Sequence, residues 1–225
     1  MKGESSGIIL LPQPIEAAAE AILRNNDFKI IVASDSNPST VAALMENVWA
    51  IVLRTGIYIS KELIERSDKL STISRTGGGV DNIDLGAATK NGVIVTSSIG
   101  VNTNSVVEHC LALIMALLKE LFRMDNEVRN NNFAIRFKNL PRDLHGKTLG
   151  VVGFGRIGSK VAQNCRQLFG MNILAYDAYM EDKVGDQYAS WVKFVSLPQI
   201  FSDSDVISLH IPLTEMTRGL GSVKY

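Results

Sequence analysis

Long apolar runs are missing from this sequence. The longest, CLALIMALL at 110–118, has nine residues, whereas a helix needs about 20 to cross a membrane. MKGESSGIILL offers only five apolar residues in a row before Pro12, too short a core for a secretory leader. Cysteine is scarce: Cys110 and Cys165 stand far apart with no CxxC or Cys/His spacing. A disulfide framework and a metal site are therefore not expected, and a reducing, cytoplasmic setting is. Neither sign of charge is in excess, with 23 Lys+Arg against 23 Asp+Glu and no block of like charges. Nucleic-acid binding leans on a basic surplus, so neither that nor a membrane surface is an expected partner.

What is present is an ordinary globular balance, 46% apolar and 20% charged over 225 residues, enough for one large domain or two small ones. Short apolar, β-rich runs alternate with segments whose apolar residues recur every three or four positions. In the first half the strand candidates are 7–11, 28–34, 49–55, 70–76 and 92–97. Strands separated by helices imply a parallel sheet covered on both faces, hence an α/β fold. From Ser105 to about Asn130 no Gly or Pro interrupts the chain, and Ser105 with Glu108 forms an S-x-x-E capping box. That predicts one long helix. A second α/β series follows, with strands at 148–153, 172–177, 191–195 and 205–210 and helices near 156–168 and 197–203. The organisation read from this is two lobes, 1–104 and 105–225, with a ligand cleft between them; one continuous sheet is the alternative.

The sharpest motif is Gly153-Phe154-Gly155-Arg156-Ile157-Gly158. It follows a strand and opens a helix, the context in which G-x-G-x-x-G marks a dinucleotide site. Gly153 would make the tight turn, Gly155 would admit a pyrophosphate, and Gly158 would let helix and strand pack closely. A helix N-terminus offers unpaired N–H groups and a positive dipole end to an anion. Asp177 lies 19 residues beyond Gly158, where such folds place the acid that binds the adenosine ribose. A carboxylate there repels a 2′-phosphate, and Ala178 brings no compensating arginine, so NAD is favoured over NADP.

HGKTLGVVGFGRIGSKVAQNCRQLFGMNILAYD resembles the cofactor-binding stretch of the NAD-dependent D-isomer-specific 2-hydroxyacid dehydrogenases. SRTGGGVDNIDL (74–85), VNTNSVVEHCLAL (101–113) and SDSDVISLHIPLTEMTRGL (202–220) resemble three further motifs of that family, in the same order. The 3-phosphoglycerate dehydrogenase branch is the most similar. The resemblance implies a flavodoxin-like substrate lobe and a Rossmann-type, doubly wound NAD lobe, present here only in its first half. It also implies a small 2-hydroxy or 2-keto acid as substrate. Gly78, Gly79 and Val80 would meet the substrate carboxylate, with Gly78 also near the nicotinamide. Three adjacent glycines allow a nest of convergent amides. Arg54 matches a basic position that meets a substrate phosphate, and Asn102 the start of the linking helix. Arg156 and Ile157 match pyrophosphate-holding residues; His210, Ile211, Pro212 and Thr217 match the loop beside the adenosine and nicotinamide. Family dimers form through the cofactor lobe, so a homodimer, or pairing with a full-length relative, is expected.

Plainer roles stand beside these. Arg54 is also readable as a solvated strand-end charge, Arg75 as a partner of Asp81, and His210 as a satisfied loop histidine. His109 reads as a packing residue and His145 as solvated. Leu111, Ile114, Leu117, Leu118 and Leu121 form a stripe that suits a core or a dimer surface. Hydride transfer also needs a group to polarise the carbonyl and one to carry the proton. The resemblance places that arginine, glutamate and histidine beyond the TRGL segment, and none of the three is in these 225 residues. No catalytic residue is therefore assigned. The expectation is a C-terminally shortened dehydrogenase that does not turn over alone. A non-catalytic NAD-binding or dimerising fragment, or a decayed reading frame, is the other possibility.

Overall fold

The computed structural model describes residues 7–138, 140–179 and 186–220. The chain divides into two compact units, Met1–Asn102 and Thr103–Tyr225.

The first unit alternates strand and helix throughout: β1 (Ile8–Leu11), α1 (Ala17–Asn25), β2 (Lys29–Val32), α2 (Pro38–Ala43), β3 (Val48–Leu53), α3 (Lys61–Ile64), β4 (Thr72–Arg75), α4 (Leu85–Lys90) and β5 (Ile94–Ser97). All pairings are parallel and the sheet order is β2-β1-β3-β4-β5, the flavodoxin-like arrangement. Successive strand residues point to opposite faces, and β1 shows it. Leu10 joins Ile51, Leu53 and Ile73 in one core layer, while Ile9 and Leu11 join Ala50 in the other. Pro38 opens α2, where its missing N–H costs nothing, and Asp84 caps α4 through the Ala87 amide at 2.8 Å.

The second unit contains α5 (Thr103–Leu118), α6 (Leu121–Arg129), a 3₁₀ turn (Phe133–Phe137), β6 (Thr148–Val152), α7 (Arg156–Phe169), β7 (Asn172–Tyr176), α8 (Asp186–Ala189), β8 (Val192–Phe194), α9 (Leu197–Asp203) and β9 (Val206–Leu209). Its strands are again parallel, in the order β8-β7-β6-β9. Counted within the unit this is 3-2-1-4, the first part of a Rossmann sheet. α5 and α7 bury Val107, Ile114, Val161, Ala162 and Cys165 against Leu149, Val151, Ile173 and Ala175. Val152, Val195 and Ile200 anchor the opposite face.

The single long helix expected from Ser105 to Asn130 is two helices. Glu120 adopts a left-handed conformation (φ 48°) and breaks the run. The Leu118 carbonyl, which a continuing helix would pair within itself, instead accepts the Arg142 N–H at 2.9 Å. Lys119 Nζ meets Asp143 Oδ1 at 2.6 Å beside it. Ser105 and Glu108 do not form the start signal either: α5 begins two residues before Ser105, and both residues lie exposed within it. A box of that type stands at α9 instead, where the Ser196 N–H donates to Gln199 Oε1 at 3.1 Å. The apolar stripe splits. Ile114 is buried and Leu111 and Leu118 pack on the core, whereas Leu117 and Leu121 are exposed.

Candidate functional site

Ligands of open α/β sheets bind beyond the carboxyl ends of the strands where strand order reverses. In the second unit that point lies between β6 and β9. There the chain leaves β6 through Gly153, whose φ of +91° suits glycine and whose Cβ, if present, would lie 2.5 Å from the His210 carbonyl oxygen. The Gly153 N–H donates to Tyr176 O at 2.8 Å. Gly155 is the residue before α7, exposed, and a Cβ there would meet nothing within 4 Å. Gly158 is buried, and a Cβ on it would collide with the Gly153 carbonyl. The first and third glycines are thus required by close packing. The second leaves the backbone open beside the first turn of α7, where N–H groups lack helical partners. Arg156 is exposed there, and Ile157 packs on the core.

Asp177 directly follows β7 and is 8% exposed. Its Oδ2 accepts the Phe154 N–H at 2.8 Å and its Oδ1 the Tyr179 N–H at 3.0 Å. On the other side of the switch point, the His210 N–H donates to Val152 O at 2.7 Å. Its Nε2 lies 2.8 Å from Ser208 Oγ, and burial pushes its pKa below the usual imidazole value. Ile211 packs on the core and Pro212 is exposed. The Thr217 hydroxyl donates to Pro212 O at 2.6 Å and accepts the Thr214 N–H at 2.8 Å, closing the loop on itself.

In the first unit the reversal lies between β1 and β3. Arg54 follows β3 directly, and its Nη1 donates to Pro14 O at 3.1 Å and lies 3.7 Å from Glu16 Oε1. The Gln13 amide donates to Thr55 O from the same loop. The turn after β4 carries Gly78, Gly79 and Val80, with Gly79 exposed. None of the three adjacent glycines is left-handed, so a nest built by αR–αL alternation is not what they form. At Gly77 the need is for space, because a Cβ would strike the Arg75 guanidinium. Arg75 pairs not with Asp81 but with Asn82, Nε to Oδ1 at 3.2 Å. Asn102 is exposed in the turn preceding α5.

His109 and His145 are exposed. Among the described residues no three His, Cys, Asp or Glu side chains gather as a metal set, and no helix is long and apolar enough to cross a membrane. A depression of about 360 Å³ lined by Arg166, Asn172, Trp191 and Lys193 opens at the start of β7 and β8, the opposite end of that sheet from the glycine turn. Sequence reasoning missed Phe154 and Asn82. The Phe154 ring is buried, with its centroid 5.1 Å from that of Tyr188 and 5.3 Å from that of Phe194, so the glycine turn is anchored from beneath. Only the apolar type of the residue between the first two glycines hinted at that.

Residues 111–224 match the model of the D-isomer specific 2-hydroxyacid dehydrogenase, NAD binding domain. The chain belongs to this family. It is 35% identical over 212 residues to a D-3-phosphoglycerate dehydrogenase of Archaeoglobus fulgidus, an alignment covering 94% of this chain and 40% of that protein. To a glyoxylate reductase of Korarchaeum cryptofilum it is 34% identical, covering 84% of this chain and 58% of the relative. Among solved structures, the D-lactate dehydrogenase of Aquifex aeolicus complexed with NAD and lactic acid superposes with a TM-score of 0.83 at 32% identity. That match covers 93% of this chain and 62% of the other. The chain therefore spans only about two fifths of the phosphoglycerate dehydrogenase it matches. The family's NAD-binding domain corresponds to the unit that carries the glycine turn.

Proposed function

We propose that these 225 residues supply the cofactor cradle and the substrate anion site of an oxidoreductase moving hydride between NAD and a 2-hydroxy acid such as 3-phosphoglycerate. The observation that carries this is the pairing of an open Gly155 at the head of α7 with the Asp177 carboxylate bonded to the same turn. The residues present fit the cofactor: a pyrophosphate needs close backbone approach and N–H donors, and an acid at the next strand end selects an unphosphorylated ribose. When bound, the nicotinamide takes or gives the hydride. Gly153, Gly155, Arg156, Ile157 and Gly158 would hold the pyrophosphate and Asp177 the adenosine ribose. His210, Ile211, Pro212 and Thr217 would flank the rest of the cofactor, with Gly78 near the nicotinamide. The lobe 1–104 would take the substrate, its carboxylate at Gly78, Gly79 and Val80, its distal anion at Arg54, with Asn102 alongside.

Positioning accounts for only part of such a reaction; a polarising cation and a proton carrier must also sit within reach of the carbinol. No residue described here is assigned either role, and the 225 residues alone are expected to bind without turning over. A calorimetric titration with NADH tests the cradle. Micromolar binding, about −8 kcal/mol, is expected, together with no NADH production from 3-phosphoglycerate and NAD. Absence of binding by folded protein would overturn the reading, and turnover by the pure chain would overturn the incompleteness.

A second reading, a non-catalytic NAD-binding module that dimerises or pairs with a full-length relative, is favoured by one observation. Leu117, Phe122 and Phe137 are 73%, 82% and 78% exposed on neighbouring segments of the second unit. Exposed large apolar side chains on adjoining elements are what an association surface would need. Sedimentation of the wild type and of Phe122→Glu tests the first form of it: a dimer that the charge converts to monomer supports self-pairing, and a wild-type monomer at micromolar concentration removes the homodimer.

A further inference from the structure

The Arg54 turn and the glycine turn of the first unit leave adjacent strands. β3 and β4 run side by side with Leu53 opposite Arg75, so the Arg54 turn and the glycine turn start about 4.8 Å apart. One side chain then bridges them. Asn82 Nδ2 donates to Arg54 O at 3.1 Å and to Ile57 O at 3.0 Å, both on the loop after β3. Its Oδ1 accepts from Arg75 Nε at 3.2 Å, at the end of β4. An asparagine amide has two donors and one carbonyl oxygen, and here both ends are engaged, one on each loop. The backbone ties the loops a second time, farther along: the Ile59 N–H donates to Asn82 O and the Asp84 N–H to Ile59 O, each at 2.9 Å.

We infer that Asn82 is a positioning residue that sets the spacing between the Arg54 turn and the Gly77–Gly79 turn, and so selects substrates carrying a second anionic group. The inference rests on the substrate reading above. A ligand held at both turns gains its affinity from simultaneous engagement and is sensitive to their separation. A ligand held at only one turn is indifferent to it. Asn82 touches neither anion in this scheme; it fixes the Arg54 carbonyl and the Arg75 guanidinium, and through them the loops. Because the Ile59 and Asp84 amides keep the two loops paired without it, removing the side chain loosens the spacing rather than unfolding the lobe.

The test compares the full 225-residue chain with Asn82→Ala and Asn82→Asp, titrated with 3-phosphoglycerate and, separately, with D-glycerate. Asp keeps the acceptor for Arg75 but loses both donors to the Arg54 loop. The expected result is that each variant weakens 3-phosphoglycerate about tenfold or more. Glycerate affinity, NADH affinity and the melting temperature should stay close to wild type. Equal weakening of both acids makes Asn82 a merely structural residue and overturns the inference, as does no change in either. A wild-type chain that binds NADH but neither acid overturns the substrate reading itself, and this inference with it.

Discussion

The backbone N–H of Phe154 donates to the carboxylate of Asp177 at 2.8 Å. The acid at the end of the second strand therefore braces the glycine turn at the end of the first, and its pose is set before any ligand arrives. Preorganisation of this kind holds a binding group within the small tolerance that recognition demands. On the proposed reading Asp177 has two separable duties, one to the fold and one to the ribose.

Those duties predict different behaviour for two substitutions. Asp177→Ala leaves the buried Phe154 N–H unpaired and should cost about 1–3 kcal/mol in denaturant unfolding, as well as NADH affinity. Asp177→Asn keeps an acceptor for the Phe154 N–H but sets its amide N–H against the Tyr179 N–H and removes the charge. It should cost less stability than Asp177→Ala, about 1 kcal/mol or somewhat more, while binding NADH about tenfold more weakly. Loss of stability without loss of affinity in both variants would make the residue purely structural.

The glycines of the turn separate in the same way. Gly158→Ala drives a methyl into the Gly153 carbonyl and should destabilise by about 1–3 kcal/mol, the usual cost of overpacking. Gly155→Ala meets open space at an ordinary φ of −88°, so its stability cost should be about 1 kcal/mol or less. NADH titration should nevertheless show the alanine at 155 weakening binding, because the methyl occupies the approach to α7.

Burial lowers the His210 pKa, and the sign of the pH effect follows. With the folded pKa below the unfolded value of about 6.5, the unfolded state binds the proton first. The contribution of His210 is full above pH 6.5 and is lost as pH falls through that value toward the folded pKa. Melting temperatures at pH 8 and pH 6 should drop more for wild type than for His210→Gln, which keeps a polar group for Ser208. Equal drops would show that this imidazole is not what senses the acid.

Burial, with the nearby Cys110, pushes the Cys165 thiol up to about 12, and burial also raises Cys110. The thiolate is the reactive form, so at pH 8 iodoacetamide should label Cys110 slowly and Cys165 only after denaturation. Mass spectrometry of native and unfolded protein checks this. Rapid native labelling of Cys165 would mean that α7 opens away from the sheet.

The strands and most helices were legible because their signals are local. Ile9 and Leu11 alternate with Leu10 between two core layers, and alternation within a short apolar run shows in one dimension. The glycine turn was legible for the same reason: strand, three glycines, helix and acid lie within one short stretch. The break at Glu120 was not, since the group that pairs with the Leu118 carbonyl there, the Arg142 amide, comes from a segment far along the chain. Asn82 escaped notice likewise. Its type is unremarkable in VDN, and its meaning lies in the Arg54 and Ile57 carbonyls on another strand's loop.

By itself the sequence determined the α/β alternation, the glycine turn at the head of α7, and an acid one strand later. Each depends on backbone freedom, periodicity or spacing within a few dozen residues. Only the tertiary structure decided the strand orders β2-β1-β3-β4-β5 and β8-β7-β6-β9, and with them the two reversal points. It also decided that Asp177 braces Phe154, that Arg75 pairs with Asn82 rather than Asp81, and that Leu117 stays exposed where Ile114 is buried. The physical reason is the same in each case: a hydrogen bond or a buried face is fixed by whichever group arrives opposite it, and in a parallel sheet that group comes from a distant part of the chain.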